Sequence, residues 1–161
     1  MTTTIIAIDP GVSTGLVAAY IDDSGVVEIK EFDQRTFSDY TDTVDWILQV
    51  IDKCYRQTNS TPIVVCEQFD LRPGNKFNAD LTPVKINAVL EYKLPRVVFQ
   101  IPAQAKGLVK DSVLKNIGWW ATGKTIGQKD ANDVRDALRH LVYYLVHVEK
   151  NHWVLELGWP R

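Results

Sequence analysis

The chain has 161 residues, 24% of them charged and 45% hydrophobic, with a formal net charge of −2. Those values suit a single globular domain, residues 1–161, with a sizeable core. No apolar run approaches the eighteen or more residues of a membrane span, and two cysteines, Cys54 and Cys66, are too few for a disulfide framework or a zinc site.

The first elements form a hairpin. Ile5 to Ile8 is a β-branched run, the mark of a buried strand, and Pro10-Gly11 stops it. Leu16 to Tyr20 resumes as a second strand. Between them Asp9 stands on the last residue of the first strand. Asp-Pro-Gly is ordinary turn chemistry. A carboxylate at the end of a buried strand is also costly unless something such as a metal ion compensates it. Both readings of Asp9 remain open on this stretch alone. After the turn Asp22-Asp23-Ser24-Gly25, Val26 to Phe32 alternates as a third strand. Val44, Ile47, Leu48, Ile51 and Tyr55 recur at helical spacing and predict a helix over 42–57.

Ile63 to Cys66 is another short buried strand, and it delivers Glu67 at its end as the first strand delivers Asp9. A polar loop over 68–80 carries Phe69, Arg72, Lys76 and Phe77. Thr82-Pro83 reads as an N-cap with proline at the first helical position, opening a helix to about Tyr92. Arg96 to Ile101 is a fifth strand. From Pro102 a helix with Ala105, Leu108, Val109, Val113 and Ile117 on one face runs to Gly118, and 119–129 reads as a loop. The last long helix covers about 131–149. Val134, Leu138, Leu141, Leu145 and Val148 form its buried stripe, and Asp133, Asp136 and His140 lie on another. In the tail, Trp153, Leu155 and Leu157 alternate with polar residues and are expected to pack back on the domain.

Charge is unevenly placed. Between Ala103 and Lys129 five lysines (Lys106, Lys110, Lys115, Lys124 and Lys129) face one acid, Asp111, a local balance of +4. Met1 to Thr4 lacks the basic and apolar regions of a signal peptide. Cys54 and Cys66 fall in buried patterns, so they are read as core thiols in a reducing cytoplasm.

Four carboxylates therefore stand out: Asp9 and Glu67 ending strands, and Asp133 and Asp136 three apart on one helix. Converging acids suit oxygen-preferring Mg²⁺ or Mn²⁺. Three motifs carry a resemblance: Ile8-Asp9-Pro10-Gly11 with Thr14-Gly15, Val65-Cys66-Glu67-Gln68 with Phe69 close behind, and Asp133-Val134-Arg135-Asp136-Ala137. Through them nearly the whole chain resembles the RuvC-type Holliday-junction resolvases of the RNase H-like superfamily, most of all their short bacteriophage members.

That resemblance implies an α/β fold, a five-stranded mixed sheet of three antiparallel then two parallel strands flanked by helices. It implies a structure-selective endonuclease that resolves four-way (Holliday) junctions and other branched DNA in recombination and repair, by two-metal phosphodiester hydrolysis with Mg²⁺, for which Mn²⁺ substitutes. Asp9, Glu67, Asp133 and Asp136 would be the metal-binding catalytic acids. Lys106 occupies the place of one active-site lysine, and Lys110 or Lys115 that of a second. Phe69, Arg72, Lys76, Lys106, Lys110, Lys115 and Lys124 are the expected DNA contacts, with Phe69 either a core residue or a stacking platform for an opened base. A homodimer is expected, since a four-way junction has two-fold symmetry. Its interface is expected on the helix from Pro83, with Ile86, Val89 and Leu90. His140 is a candidate for positioning water or phosphate, while His147 and His152 read as structural.

Rival readings are a nuclease acting on RNA or an RNA–DNA hybrid, a non-catalytic branched-DNA-binding protein, and a sugar-kinase or actin-like nucleotide-binding protein. The last needs two such domains. Gly118 to Thr125 matches the Walker A pattern letter for letter, but a P-loop follows a strand and this segment follows a helix. No nucleotide cofactor and no membrane association are therefore expected.

Overall fold

A computed structural model describes residues 2–69 and 80–160. Its elements in chain order are β1 (Thr3–Asp9), β2 (Ser13–Ile21), β3 (Val27–Thr36), α1 (Tyr40–Thr58), β4 (Ile63–Glu67), α2 (Thr82–Lys93), β5 (Val97–Gln100), α3 (Pro102–Leu108), α4 (Asp111–Ile117), α5 (Gly123–Ile126), α6 (Asn132–His147) and α7 (His152–Gly158). The strands form one sheet in the order β3-β2-β1-β4-β5. β1 pairs antiparallel with β2, and β2 with β3, while β4 runs parallel to β1 and β5 parallel to β4. This is the RNase H-like sheet that the resemblance implied, three antiparallel strands followed by two parallel ones.

Both faces of the central strand are covered, which is why Ile5 to Ile8 is an unbroken apolar run rather than an alternating one. Successive side chains point to opposite faces. Ile5 and Ala7 pack with Val17, Ala19 and Val65 beneath α6, against Val134, Leu138, Leu141 and Leu145. Ile6 and Ile8 pack with Leu16, Ala18, Val64 and Cys66 against Val44, Ile47 and Val50 of α1 and Ile86 and Leu90 of α2. Asp9 continues the odd-numbered row and so faces α6. Both cysteines are buried and free, as expected of core thiols.

Several elements differ from the sequence expectation. The third strand extends to Thr36. The helix expected from Pro102 to Gly118 is two helices, broken where Val109 leaves helical geometry at ψ 87 and Lys110 is extended at ψ 166. The apolar spacing of Ala105, Val109, Val113 and Ile117 runs through the break and hides it. What holds the break is distant in sequence: Arg139 Nε donates to the Val109 carbonyl at 3.2 Å, and the same guanidinium pairs with Asp111 in the first turn of α4. The loop over 119–129 contains α5, capped by a reciprocal pair of bonds between Thr122 and Thr125.

Leu81, not Thr82, is the N-cap of α2. Leu108 and Val148 are exposed, off the buried stripes assigned to them. The tail is helical. It docks through Val154, Gly158 and Trp153 rather than through Leu155 and Leu157, which are exposed. Among the described residues no helix is long and apolar enough to cross a membrane.

Candidate active site

The site is one row of residues across the sheet. Register pairs Gln34 of β3 with Gly15 of β2, and Gly15 with Asp9 of β1. One step past the Ile8–Cys66 pair brings Asp9 level with Glu67 of β4, which pairs with Gln100 of β5. All five sit on the face that α6 covers. The carboxyl ends of parallel strands in an open α/β sheet are where such folds place ligands. The turn after Asp9 is closed by Thr14, whose hydroxyl accepts from the Gly11 N–H at 3.1 Å and donates to the Gly11 carbonyl at 2.9 Å.

Two members of the row seat the first turn of α6. Gln34 Oε1 accepts from the Asp133 N–H at 3.0 Å and the Val134 N–H at 3.4 Å, satisfying donors that every helix start leaves unpaired. Gly15 lets the helix backbone touch the sheet, since a Cβ there would lie 2.1 Å from the Asp133 carbonyl oxygen. From this seat Asp133, Asp136 and His140 descend one side of α6 along the row.

Electrostatics tie the acids together. Burial, reinforced by Glu67 and then Asp136 and Asp133, holds the Asp9 carboxyl well above its ordinary value, with Lys106 only partly opposing the shift. Asp133 is raised mainly by burial, with Asp136 and Asp130 adding to it against a hydrogen bond from Ser13. Burial also pushes Glu67 upward, but the hydrogen bond from His140 and the Lys106 ammonium outweigh it, and the net shift is down. Lys106 Nζ lies 3.1 Å from Glu67 Oε2 and 2.9 Å from Asp136 Oδ2. Although burial works against its charge, these carboxylates hold its ammonium above the usual lysine range. Arg139 pairs with the other oxygen of Asp136.

The structure thus brings together Asp9, Glu67, Asp133, Asp136 and Lys106, all singled out in the sequence. As placed, no three His, Cys, Asp or Glu side chains among the described residues converge as ligands of one ion. Lys106 instead bridges Glu67 and Asp136. The donor set still fits a hard divalent cation: every candidate ligand is a carboxylate, and Glu67, Asp136 and Asp133 add to the burial that raises Asp9.

Of the two candidate second lysines, Lys110 borders a cleft of about 610 Å³ together with Lys106, Asp111, Ser112, Asp136 and Arg139. Lys115 lies over the Trp120 ring at 4.6 Å. Phe69 is half-buried, and its N–H donates to Asn87 Oδ1 at 3.2 Å. It lines a cavity of about 300 Å³ with Val84, Asn87, Ala88 and Phe99. Lys124 is exposed on α5, and Arg72 and Lys76 fall outside the described residues. The Walker-like segment follows α4, with Gly118 as its left-handed C-cap, and not a strand.

Sequence reasoning missed Gln34, Gln100, Asn87 and Arg139. A signal existed for one of them: Arg139 stands three residues after Asp136. His140, left open by the sequence, is buried and bridges Gln100 and Glu67, at 2.8 Å and 2.7 Å.

No protein-family model matches the chain. No curated protein matches its sequence. Among solved structures it is similar to RuvC of Thermus thermophilus in complex with a Holliday junction substrate, with 16% identity, a TM-score of 0.57 and coverage of 92% of this chain and 96% of that one. It is likewise similar to a second Thermus thermophilus RuvC structure, at 19% identity and TM-score 0.57, covering 93% and 96% of the two chains. The row of site residues therefore sits on the RuvC fold, carried over nearly the full length of both chains.

Proposed function

We propose that this protein is a divalent-metal-dependent endonuclease that cuts branched DNA, with the four-way junction as its principal substrate. The observation that carries this reading is the electrostatic coupling of Asp9 to Glu67, Asp133 and Asp136 at the carboxyl ends of the parallel strands, with Lys106 paired to Glu67 and Asp136. The likeness to a fold seen bound to a Holliday junction supports the substrate. Mg²⁺, or Mn²⁺ in its place, held by those four acids would supply Lewis acidity to an attacking water and to the leaving 3′ oxygen. The chain's own residues do the rest. Lys106 brings a cation to the phosphate, Arg139 holds the Asp136 carboxylate, and Lys110 extends the positive charge along the cleft. Phe69, two residues past the end of β4, would stack on an unpaired base.

The test is cleavage of end-labelled four-way junction, flap, duplex and RNA–DNA hybrid in Mg²⁺ and Mn²⁺. Cutting of the hybrid alone, or binding without any cutting, overturns the reading. Lys106→Ala is expected to lower the cleavage rate and to reduce the salt slope of junction binding by about 1, the loss of one phosphate contact. An unchanged slope and rate would remove Lys106 from the site.

A two-fold dimer suits two matched incisions. The interface expected from sequence needs correction, because Ile86 and Leu90 are fully buried in their own subunit and Val89 is half-buried against the same core. Outward at the N-cap and along the helix stand Leu81 (52% exposed), Val84 (39%) and Tyr92 (90%), with Ala88 between them. A helix apolar on both faces calls for a second partner. Val84→Asp with Tyr92→Asp is expected to turn a dimer into a monomer by light scattering and to uncouple paired incisions into single nicks. A wild-type monomer at micromolar concentration with full junction activity would refute the dimer.

A further inference from the structure

We propose that His140 is a positioning residue for Glu67, with Gln100 setting which ring nitrogen carries the proton. The proposal rests on the reading of Glu67 as a metal-binding carboxylate. His140 is fully buried on α6, one turn beyond Asp136, and both ring nitrogens are engaged. Its Nε2 lies 2.7 Å from Glu67 Oε2, and its Nδ1 lies 2.8 Å from the Gln100 amide oxygen.

In that orientation Gln100 Nε2 is the one buried side-chain nitrogen or oxygen among the described residues without a hydrogen-bond partner. A buried unpaired N–H is costly, and the oxygen and nitrogen of an amide exchange places on a half-turn of its last torsion. After that half-turn Gln100 Nε2 donates to His140 Nδ1. The imidazole proton then sits on Nε2 and donates to Glu67 Oε2, which sets the tautomer, and the amide oxygen takes the unpartnered place, where an unpaired acceptor is less costly than an unpaired N–H. Lys106 Nζ donates to the same Oε2 at 3.1 Å. Two donors on one oxygen hold the carboxylate in one orientation and leave Oε1 unpaired among the described residues, free for a cation.

A leucine at this position would fill the same space without burying two polar nitrogens. Groups that hold a ligating side chain by a hydrogen bond govern metal affinity without touching the metal. His140 thus acts through Glu67.

The experiment compares His140→Leu, which removes the donor, with His140→Gln, whose amide keeps one at the same reach. Mn²⁺ binding is measured by calorimetry on the DNA-free protein, junction affinity in EDTA, kcat in Mg²⁺, and melting temperature. His140→Leu is expected to weaken Mn²⁺ binding by about 10–100-fold and to lower kcat, with junction affinity in EDTA unchanged. His140→Gln is expected to recover most of both. The proposal is overturned if His140→Leu binds Mn²⁺ as the wild type does. It is equally overturned if the two variants lose binding alike alongside equal drops in melting temperature, the mark of packing alone. Glu67→Gln separates this from failure of the site itself: wild-type Mn²⁺ binding and cutting by that variant would remove Glu67 from the metal site and the proposal with it.

Discussion

Asp9→Asn is expected to abolish junction cutting in Mg²⁺ while making the metal-free protein more stable. The loss should reach about a thousandfold or more, about 4 kcal/mol of transition-state stabilisation. The gain in stability follows from linkage. Burial and three neighbouring acids raise the Asp9 pKa in the folded state, so the native protein binds that proton more tightly than the unfolded chain. Stability from this group is present below the ordinary carboxylate pKa and is lost as pH rises through the raised folded value. Above that raised value an ionised Asp9 therefore destabilises the metal-free fold. Relieving even one like-charge pair is worth about 1 kcal/mol at 4 Å in water, or roughly 2–4 °C in melting temperature for a chain of this size.

Asp136→Asn should lose cutting equally but gain no stability, because Asp136 is already paired with Lys106 and Arg139. Both variants should keep junction binding in EDTA. Calorimetry in EDTA beside a cleavage assay in Mg²⁺ checks all of this. A folded Asp9→Asn protein that cuts at the wild-type rate would dismantle the site, and one that melts lower and binds less would make Asp9 a structural acid.

Gly15→Ala is expected to be the most destabilising small substitution at the site. The added methyl would lie 2.1 Å from the Asp133 carbonyl oxygen, 2.2 Å from its carbon and 2.6 Å from the Val134 nitrogen, all backbone atoms that no rotamer change can move. The start of α6 must lift from β2, breaking its bonds to Gln34 and displacing Asp133. Overpacking of this kind costs about 3 kcal/mol or more, a fall of roughly 6–12 °C in melting temperature. Gly107→Ala is the control. It lies in α3 with nothing within 4 Å of the added carbon, so the better helix former should leave stability unchanged or raise it by up to about 1 kcal/mol. Equal melting temperatures for the Gly15→Ala and wild-type proteins would mean that α6 does not rest on β2 as described.

Much of the site could be read before any fold was known, for a local reason. Asp9 and Glu67 each follow an apolar β-branched run, and a charge at the end of such a run is visible in a window of five residues. Asp133, Asp136 and His140 share one side of a helix because helical spacing is likewise local. The order of strands and helices gave the sheet its expected form through resemblance. Other features depend on which residues meet across long stretches of chain. Gln34 and Gln100 join the site only because strand register sets them in one row with Asp9, and register is a pairing between segments that no single segment displays.

The same holds for the break between α3 and α4. The apolar spacing through Val109 describes a continuous helix, while in the fold Arg139, thirty residues away, takes the Val109 carbonyl at the break. The outward face of α2 is not legible in its sequence, because Ile86 and Leu90 look equally apolar whether they meet a partner or their own sheet. Local patterns determined which residues carry charge and at which end of each element. Packing of α6 onto the sheet decided which charges share one low-dielectric pocket, because burial and neighbours, not residue type, set what an ionisable group costs and what it can hold.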